Sequence, residues 1–307
     1  MHKSLCTSVL LIIAFTTFAF NTASAFPSQE SAAKLDTSQQ GLRQLVQQAV
    51  NNDIKAERRT GNRGMYRLRK ESLKGTQVKE IVETKTISVA RLLEQNGKPL
   101  SADQQRAEDD RLRALANDPD AQRKKLKEEK QDDENATKIF RALPEAFVYK
   151  YEGTQSGESG EYVHMTFSPD PKWDPPSREL QVLTGMEGTM DINRQEPHVV
   201  KIQAKLFRDV DFGWGVLGRL YKGGSFLVEQ RKLQNDRWET THMVLDITGK
   251  ALLFKSLVYK ESEYLSDFQS VPPDLSVQQG IDLLHKVSLA QNRPDHEPAK
   301  CDPCEPK

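Results

Sequence analysis

The sequence predicts an α+β fold that is mainly β, an antiparallel sheet accompanied by a few helices and a charged helical insertion. Three observations predict it. Between Val199 and Asp211 the even positions Val200, Ile202, Ala204, Leu206 and Val210 are apolar, while Lys201, Gln203, Lys205 and Asp209 are polar. That is the period-two alternation of an antiparallel sheet with one wet face. From Phe147 to Phe268, short β-rich runs recur with polar turns between them, which argues for consecutive antiparallel pairing rather than βαβ units. Helical periodicity is confined to Gly41–Ile54, Ser101–Arg141 and Ser276–Leu289.

The chain opens with His2 and Lys3, an apolar run from Val9 to Phe20, and small residues at Ala23 and Ala25 before Phe26. This is the A-x-A pattern of a secretory signal peptide, residues 1–25, cleaved after Ala25. The apolar run is too short to span a bilayer comfortably. Cys6 precedes the run, so it is not a lipobox cysteine, and the mature protein is expected to be exported, soluble and unlipidated. About 280 residues remain, enough for one large domain or two small ones. With 44 basic and 44 acidic residues, nothing argues for nucleic acid or an anionic membrane as a partner. Beyond the leader the only cysteines are Cys301 and Cys304, so an apolar core must stabilise the fold.

Residues 26–40 read as a flexible segment, with Asp36 to Ser38 as possible N-cap residues for an amphipathic helix at Gly41–Ile54. Gly61 to Gly64 break the chain. Met65–Lys70 and Gln77–Leu93 read as two strands of a hairpin around Gly75, ended by Asn96-Gly97-Lys98-Pro99. Residues 101–141 hold ten basic and eleven acidic residues around a thin stripe of Leu112, Leu115 and Ala116. Such spacing suits a solvated helix with i,i+4 ion pairs, interrupted at Asn117-Asp118-Pro119. This insertion is expected to be peripheral.

The meander strands are placed at Phe147–Glu152, Glu161–Phe167, Glu179–Leu183, Gly188–Ile192, Val199–Val210, Phe226–Leu233, Trp238–Ile247 and Ala251–Glu261. Gly249-Lys250 is read as the turn before the last of these. The main domain is drawn at 41–270, and 271–307 is read as a C-terminal helix and polar tail. In the last strand Leu253, Leu257 and Tyr259 share one parity and Leu252, Phe254 and Val258 the other. Apolar residues on both faces need cover on both, from two packed layers or from a curved sheet whose concave side is a second core or a cavity.

Asp209 to Gln230 carries five glycines and Trp214, and reads as a hairpin-like crossing with an apolar loop. Gly213-Trp214-Gly215-Val216-Leu217-Gly218 fits GxGxxG. That pattern cradles a pyrophosphate only when it opens a helix in a βαβ unit, and Gly223-Gly224 ends any helix here. No histidine pair has metal-ligand spacing and no serine sits in a GxSxG elbow. His164 and His242 fall in strands and are possible neighbours, but a strand-borne histidine is usually a solvated or satisfied side chain. The CxxC at Cys301 and Cys304 lacks a second ligand pair, and a surface disulfide suits it best. No enzyme activity, metal or cofactor is expected.

The segment GTMDINRQEPHVVKIQAKL (188–206) resembles the LolA/LolB-like lipoprotein carriers and outer-membrane lipoprotein-sorting proteins. There a strand ending in an acidic–apolar–polar triplet, here Asp191-Ile192-Asn193, turns into a strand with a basic–apolar step, here Lys201-Ile202. The resemblance covers roughly Gly41 to Phe268. It implies an incomplete β-barrel with helices over its concave apolar face, in a periplasmic transport protein that shelters an acyl chain or lipidated cargo. The insertion and the DFGWGVLG segment depart from that pattern. The same fold also suits a sensor or scaffold that binds an envelope protein partner. The candidate lipid-binding wall is Val200, Ile202, Leu206, Phe226, Val228, Leu253 and Leu257, with Phe212 and Trp214 at the rim. Which strand parity lines the cavity stays open.

Overall fold

The computed structural model describes residues 35–57, 63–212, 218–233, 236–251 and 255–291. Residues 1–25, expected to be a leader, and Trp214, Leu253 and the Cys301/Cys304 tail lie outside the described residues. The fold is α+β and mainly β, as the alternation predicts. A 13-stranded antiparallel sheet forms an incomplete, unclosed barrel, with helices packed on it.

The elements run α1 (Gln39–Glu57), β1 (Gly64–Ser72), β2 (Gly75–Glu83), β3 (Ser88–Gln95), β4 (Lys98–Pro99), α2 (Ala102–Asn117) and α3 (Pro119–Ala146). The meander follows as β5 (Phe147–Gly157), β6 (Gly160–Pro169), β7 (Met186–Asn193), β8 (Val199–Leu206), β9 (Val210–Phe212), β10 (Gly218–Leu220), β11 (Ser225–Lys232), β12 (Trp238–Ala251) and β13 (Lys255–Ser270), then α4 (Val277–Gln291). The strand order is β4-β3-β2-β1-β13-β12-β11-β8-β7-β6-β5, so β4 and β5 are the free ends and β13 joins the N-terminal hairpins to the meander. Short β9 and β10 pair with each other, and β10 also pairs with β12. The chain on either side of the GxGxxG stretch is therefore an antiparallel hairpin, the context that a dinucleotide site lacks.

Several expected elements are redrawn by local chemistry. The expected strand 77–93 is two strands, because the Thr84 hydroxyl bonds to Ile87 O at 2.7 Å and folds 84–87 into a turn. Glu179–Leu183 is part of a 3-10 helix (Glu179–Gly185), not a strand, and buries Leu180 and Leu183. The expected strand 199–210 stops at Leu206. Gly249-Lys250 is not a turn: β12 runs through it to Ala251, pairing with Leu257 and Ser256. The insertion forms α2 and α3, divided at Asp118, whose carboxylate caps α3 by accepting from Asp120 N and Ala121 N.

Helices lie on both faces of the sheet. Tyr149 of β5 faces α3, its hydroxyl donating to Leu143 O at 2.6 Å. Following register, Tyr149 pairs with Phe167, Phe167 with Gly188, Gly188 with Ala204 and Ala204 with Phe226. Paired residues share a face. On this inner face Leu42, Val46, Ala49 and Val50 of α1 are buried, and α1 packs on β5, β7 and β8. At the other end of the sheet, Met65, Val82 and Val89 lie on the opposite face. They form a core with Leu112 of α2 and Val277, Ile281 and Leu284 of α4.

Candidate functional site

The inner face carries two features. The first is a half-buried apolar strip over β11–β13. Cross-strand register places Phe226 opposite Leu245, Val228 opposite Met243 and Ile247 opposite Tyr259. Leu257 follows on the same face, and Phe212 reaches it through β9 and β10. Ile202, Leu206 and Val228 are buried; Val200, Phe212, Phe226 and Leu257 are half-buried; Tyr259 is exposed. Val200 sits at a register shift between β7 and β8. Even positions of β8 from Ile202 and of β11, odd positions of β12 from Met243 and odd positions of β13 up to Leu265 therefore share the face that carries α1 and α3. Leu220, Met243, Leu245 and Ile247 belong to the same strip and were missed in the sequence, because one strand's alternation does not say which strand lies beside it. The strip is flanked by Lys70, which bonds Glu261 at 2.6 Å and Glu263 at 2.9 Å. Burial works against the Lys70 charge, but these two carboxylates outweigh it and raise its pKa.

The second feature is a cleft of about 820 Å³ at the end of the strands, between α1, α3 and the sheet. None of the described candidate wall residues lines it. Its sheet side holds Tyr66 of β1, Leu265 and Phe268 of β13 and Trp238 of β12, and its helical walls hold Asn52 to Ala56 of α1 and Phe140 of α3. The Tyr66 and Phe268 rings are 5.8 Å apart. A bulge in β13 opposite Met65 to Arg67 brings Phe268 beside Tyr66, a displacement that alternation in sequence does not reveal.

Charge in the cleft is arranged in pairs. Asp53 of α1 accepts from Val199 N and is bonded to His198 Nδ1 at 2.6 Å, and the His198 ring stacks on Trp238 at 4.9 Å. Burial pushes the Asp53 pKa up, against the pull of its His198 hydrogen bond. Glu83 accepts from Gly64 N at 2.7 Å, and burial raises its pKa in spite of that bond. Glu239 is bonded to Arg237, and burial raises its pKa too. Burial raises the Tyr66 phenol, and the charges adding to the effect are all carboxylates: Glu83, Glu239, Glu263 and Glu129. A pocket with aromatic walls, a few fixed polar groups and perturbed acids is what small-molecule sites look like.

The strand histidines belong elsewhere. His164, Asp191, Lys201, Glu229, His242 and Tyr264 form one cross-strand row on the outer face. His164 and His242 lie in this row but are not neighbours, since β7, β8 and β11 intervene. His164 is bonded to Asp191 at 2.5 Å, His242 to Glu229 at 3.0 Å, and His242 stacks on Tyr264 at 4.2 Å. Among the described residues, no group of three or more His, Cys, Asp or Glu could hold a metal ion, and no helix is long and apolar enough to cross a membrane.

No family model and no curated protein matches the sequence. Among solved structures, the chain is similar to a Vibrio parahaemolyticus domain named as an outer membrane lipoprotein-sorting protein domain. The match has 8% identity and a TM-score of 0.29, and covers 76% of this chain and 96% of that one.

Proposed function

We propose that this protein is an exported, periplasmic, non-catalytic binding protein that shelters an acyl chain or lipidated cargo against the inner face of its sheet. The observation that carries the reading is the strip of Phe226, Leu245, Ile247 and Leu257, apolar in register yet only half-buried. An antiparallel sheet that needs nothing on a face places polar residues there. The leader pattern ending at Ala25 supports export. The charged row on the outer face favours a second reading, a scaffold that docks an envelope protein.

The test is titration of the purified protein with fluorescent fatty acids of increasing length. Affinity should rise with chain length, since each buried CH₂ contributes about 0.8 kcal/mol. Leu257→Glu or Phe226→Glu should abolish binding while the protein stays folded, because a carboxylate is costly against an apolar guest. Absence of saturable binding at every length would sink the acyl reading and leave the scaffold.

A further inference from the structure

We propose that the guest of the apolar strip carries an anionic headgroup, a carboxylate or a phosphate, and that the Lys79 ammonium of β2 binds it. This rests on the acyl reading of the strip and adds the polar end of its guest. Cross-strand register places Lys79 on the inner face. It lies opposite Leu68 of β1, and Leu68 lies opposite Leu265 of β13. Both leucines are half-buried. On β13, Leu265 is the next inner-face position after Glu263, which lies opposite Met243 of the strip. An apolar path therefore leads from Met243 over Leu265 and Leu68 to Lys79. Across the sheet it covers three strand spacings, about 14 Å, a distance that an alkyl chain lying on the strip can span.

The charges around Lys79 are committed to one another. Lys70, on the same face, is held by Glu261 and Glu263, and Arg111 of α2 is bonded to Glu108 at 2.7 Å. Lys98 of β4 shares the face and is exposed, and Glu83 lies at the other end of β2, in the cleft. Lys79 is half-buried, and among the described residues its ammonium has neither an ion pair nor a hydrogen-bond partner. Burial lowers its pKa; the Lys70 and Arg111 charges add to the effect, and Glu108 and Glu263 oppose it. An oxyanion would give this ammonium the charged partner that the surrounding carboxylates do not. A cationic head would meet Lys79, Lys70 and Lys98 instead.

Calorimetric titration of the purified protein with dodecanoate, dodecyl phosphate, 1-dodecanol and dodecylammonium tests this at neutral pH, each ligand kept below its aggregation concentration. At least one anion should bind about tenfold or more tighter than the alcohol, the scale of one charge-assisted hydrogen bond. The tighter anion identifies the headgroup. Dodecylammonium should bind no tighter than the alcohol. Lys79→Gln should bring the anions down to the alcohol and leave the alcohol unchanged. Lys79→Arg should keep the preference, and Lys98→Gln should not alter it; circular dichroism checks the fold of each variant. If none of the ligands binds, the acyl reading and this proposal fall together. If the alcohol binds as tightly as both anions, if the ammonium binds tightest, if Lys79→Gln keeps the preference, or if Lys98→Gln removes it equally, the strip still holds an alkyl chain and this proposal alone is overturned.

Discussion

Glu129 of α3 accepts the backbone N–H of Ser88, with 3.2 Å from the nitrogen to each carboxylate oxygen. Two residues along the same edge, the Arg111 guanidinium of α2 donates to Ala90 O at 2.6 Å. Two further on, Glu108 accepts Leu92 N at 2.8 Å. Alternate backbone groups of β3 thus point outward beyond the short pairing with β4, and the charged helices satisfy them. An open strand edge is a template for other chains. The insertion that reads as a solvated face in sequence is the cover of that edge.

Loss of this cover should be measurable. Glu108 is 8% exposed and also holds Arg111 at 2.7 Å. Glu108→Ala leaves the Leu92 N–H without its acceptor and should cost about 2–3 kcal/mol in urea denaturation. A change below about 0.5 kcal/mol, the ordinary surface range, would show that the edge does not need the carboxylate.

The insertion also enters the core. Leu112 is fully buried among Met65, Val89, Ile281 and Leu284. Leu112→Ala should cost about 2–5 kcal/mol, where a peripheral helix would give almost nothing. Replacing 118–133 with a Gly/Ser linker, harmless to a peripheral segment, removes Glu129 from Ser88 and should lower the midpoint of unfolding.

Two carboxylates should respond to pH with opposite sign. Burial raises the Glu229 pKa, but hydrogen bonds from Lys201 and His242 outweigh it and bring the pKa below its ordinary 4.5. Its contribution is therefore present above pH 4.5 and lost as pH falls through the lowered value. Glu83 is raised by burial, so its favourable contribution is present below pH 4.5 and lost as pH rises through the raised value. Glu83→Gln should thus be more stable than the wild type at neutral pH and equal to it in acid, whereas Glu229→Gln should be less stable at neutral pH. Chemical denaturation across pH checks both, and an acid-enhanced advantage for Glu83→Gln would contradict the burial argument.

Gly188 marks a close approach of two strands. A Cβ there would fall 1.9 Å from Gln203 O and 2.8 Å from Ala204 Cα, both backbone atoms of β8. Gly188→Ala should cost about 2–4 kcal/mol, because the strands must move apart. A wild-type melting temperature in this variant would mean that the sheet yields there without strain.

Much of the sheet is legible in the residues. The even-position alternation of β8 foretells its buried Ile202, Ala204 and Leu206, and the turn residues foretell most meander corners. The helices at 41–54 and 276–289 are likewise marked by their periodicity. The errors have local causes. Glu179-Leu180-Gln181-Val182-Leu183 alternates like a strand, but it is a short 3-10 turn whose Leu180 and Leu183 point inward three residues apart. Gly249-Lys250 carries turn chemistry, yet Gly249 lies inside β12, where a Cβ would fall 2.3 Å from Arg219 O of β10. The cleft was not legible, since it assembles Asp53, Tyr66, Glu83, His198 and Trp238 from distant elements. No spacing in sequence records that Asp53 and His198 meet.

The pairing of β1 with β13 has a kinetic consequence. Met65 lies opposite Gln269 and Ser72 opposite Glu261, contacts between the two ends of the domain. Long sequence separation slows folding, because loop closure must be met before the contacts reward it. Until residues 255–270 are in place, β1 and β12 each present an unpaired edge, and the N-terminal hairpins and the meander are separate sheets. The nascent chain therefore has no complete sheet to fold into until its last strand has been synthesised, and a chain stopped before β13 exposes two edges at which copies can add to one another.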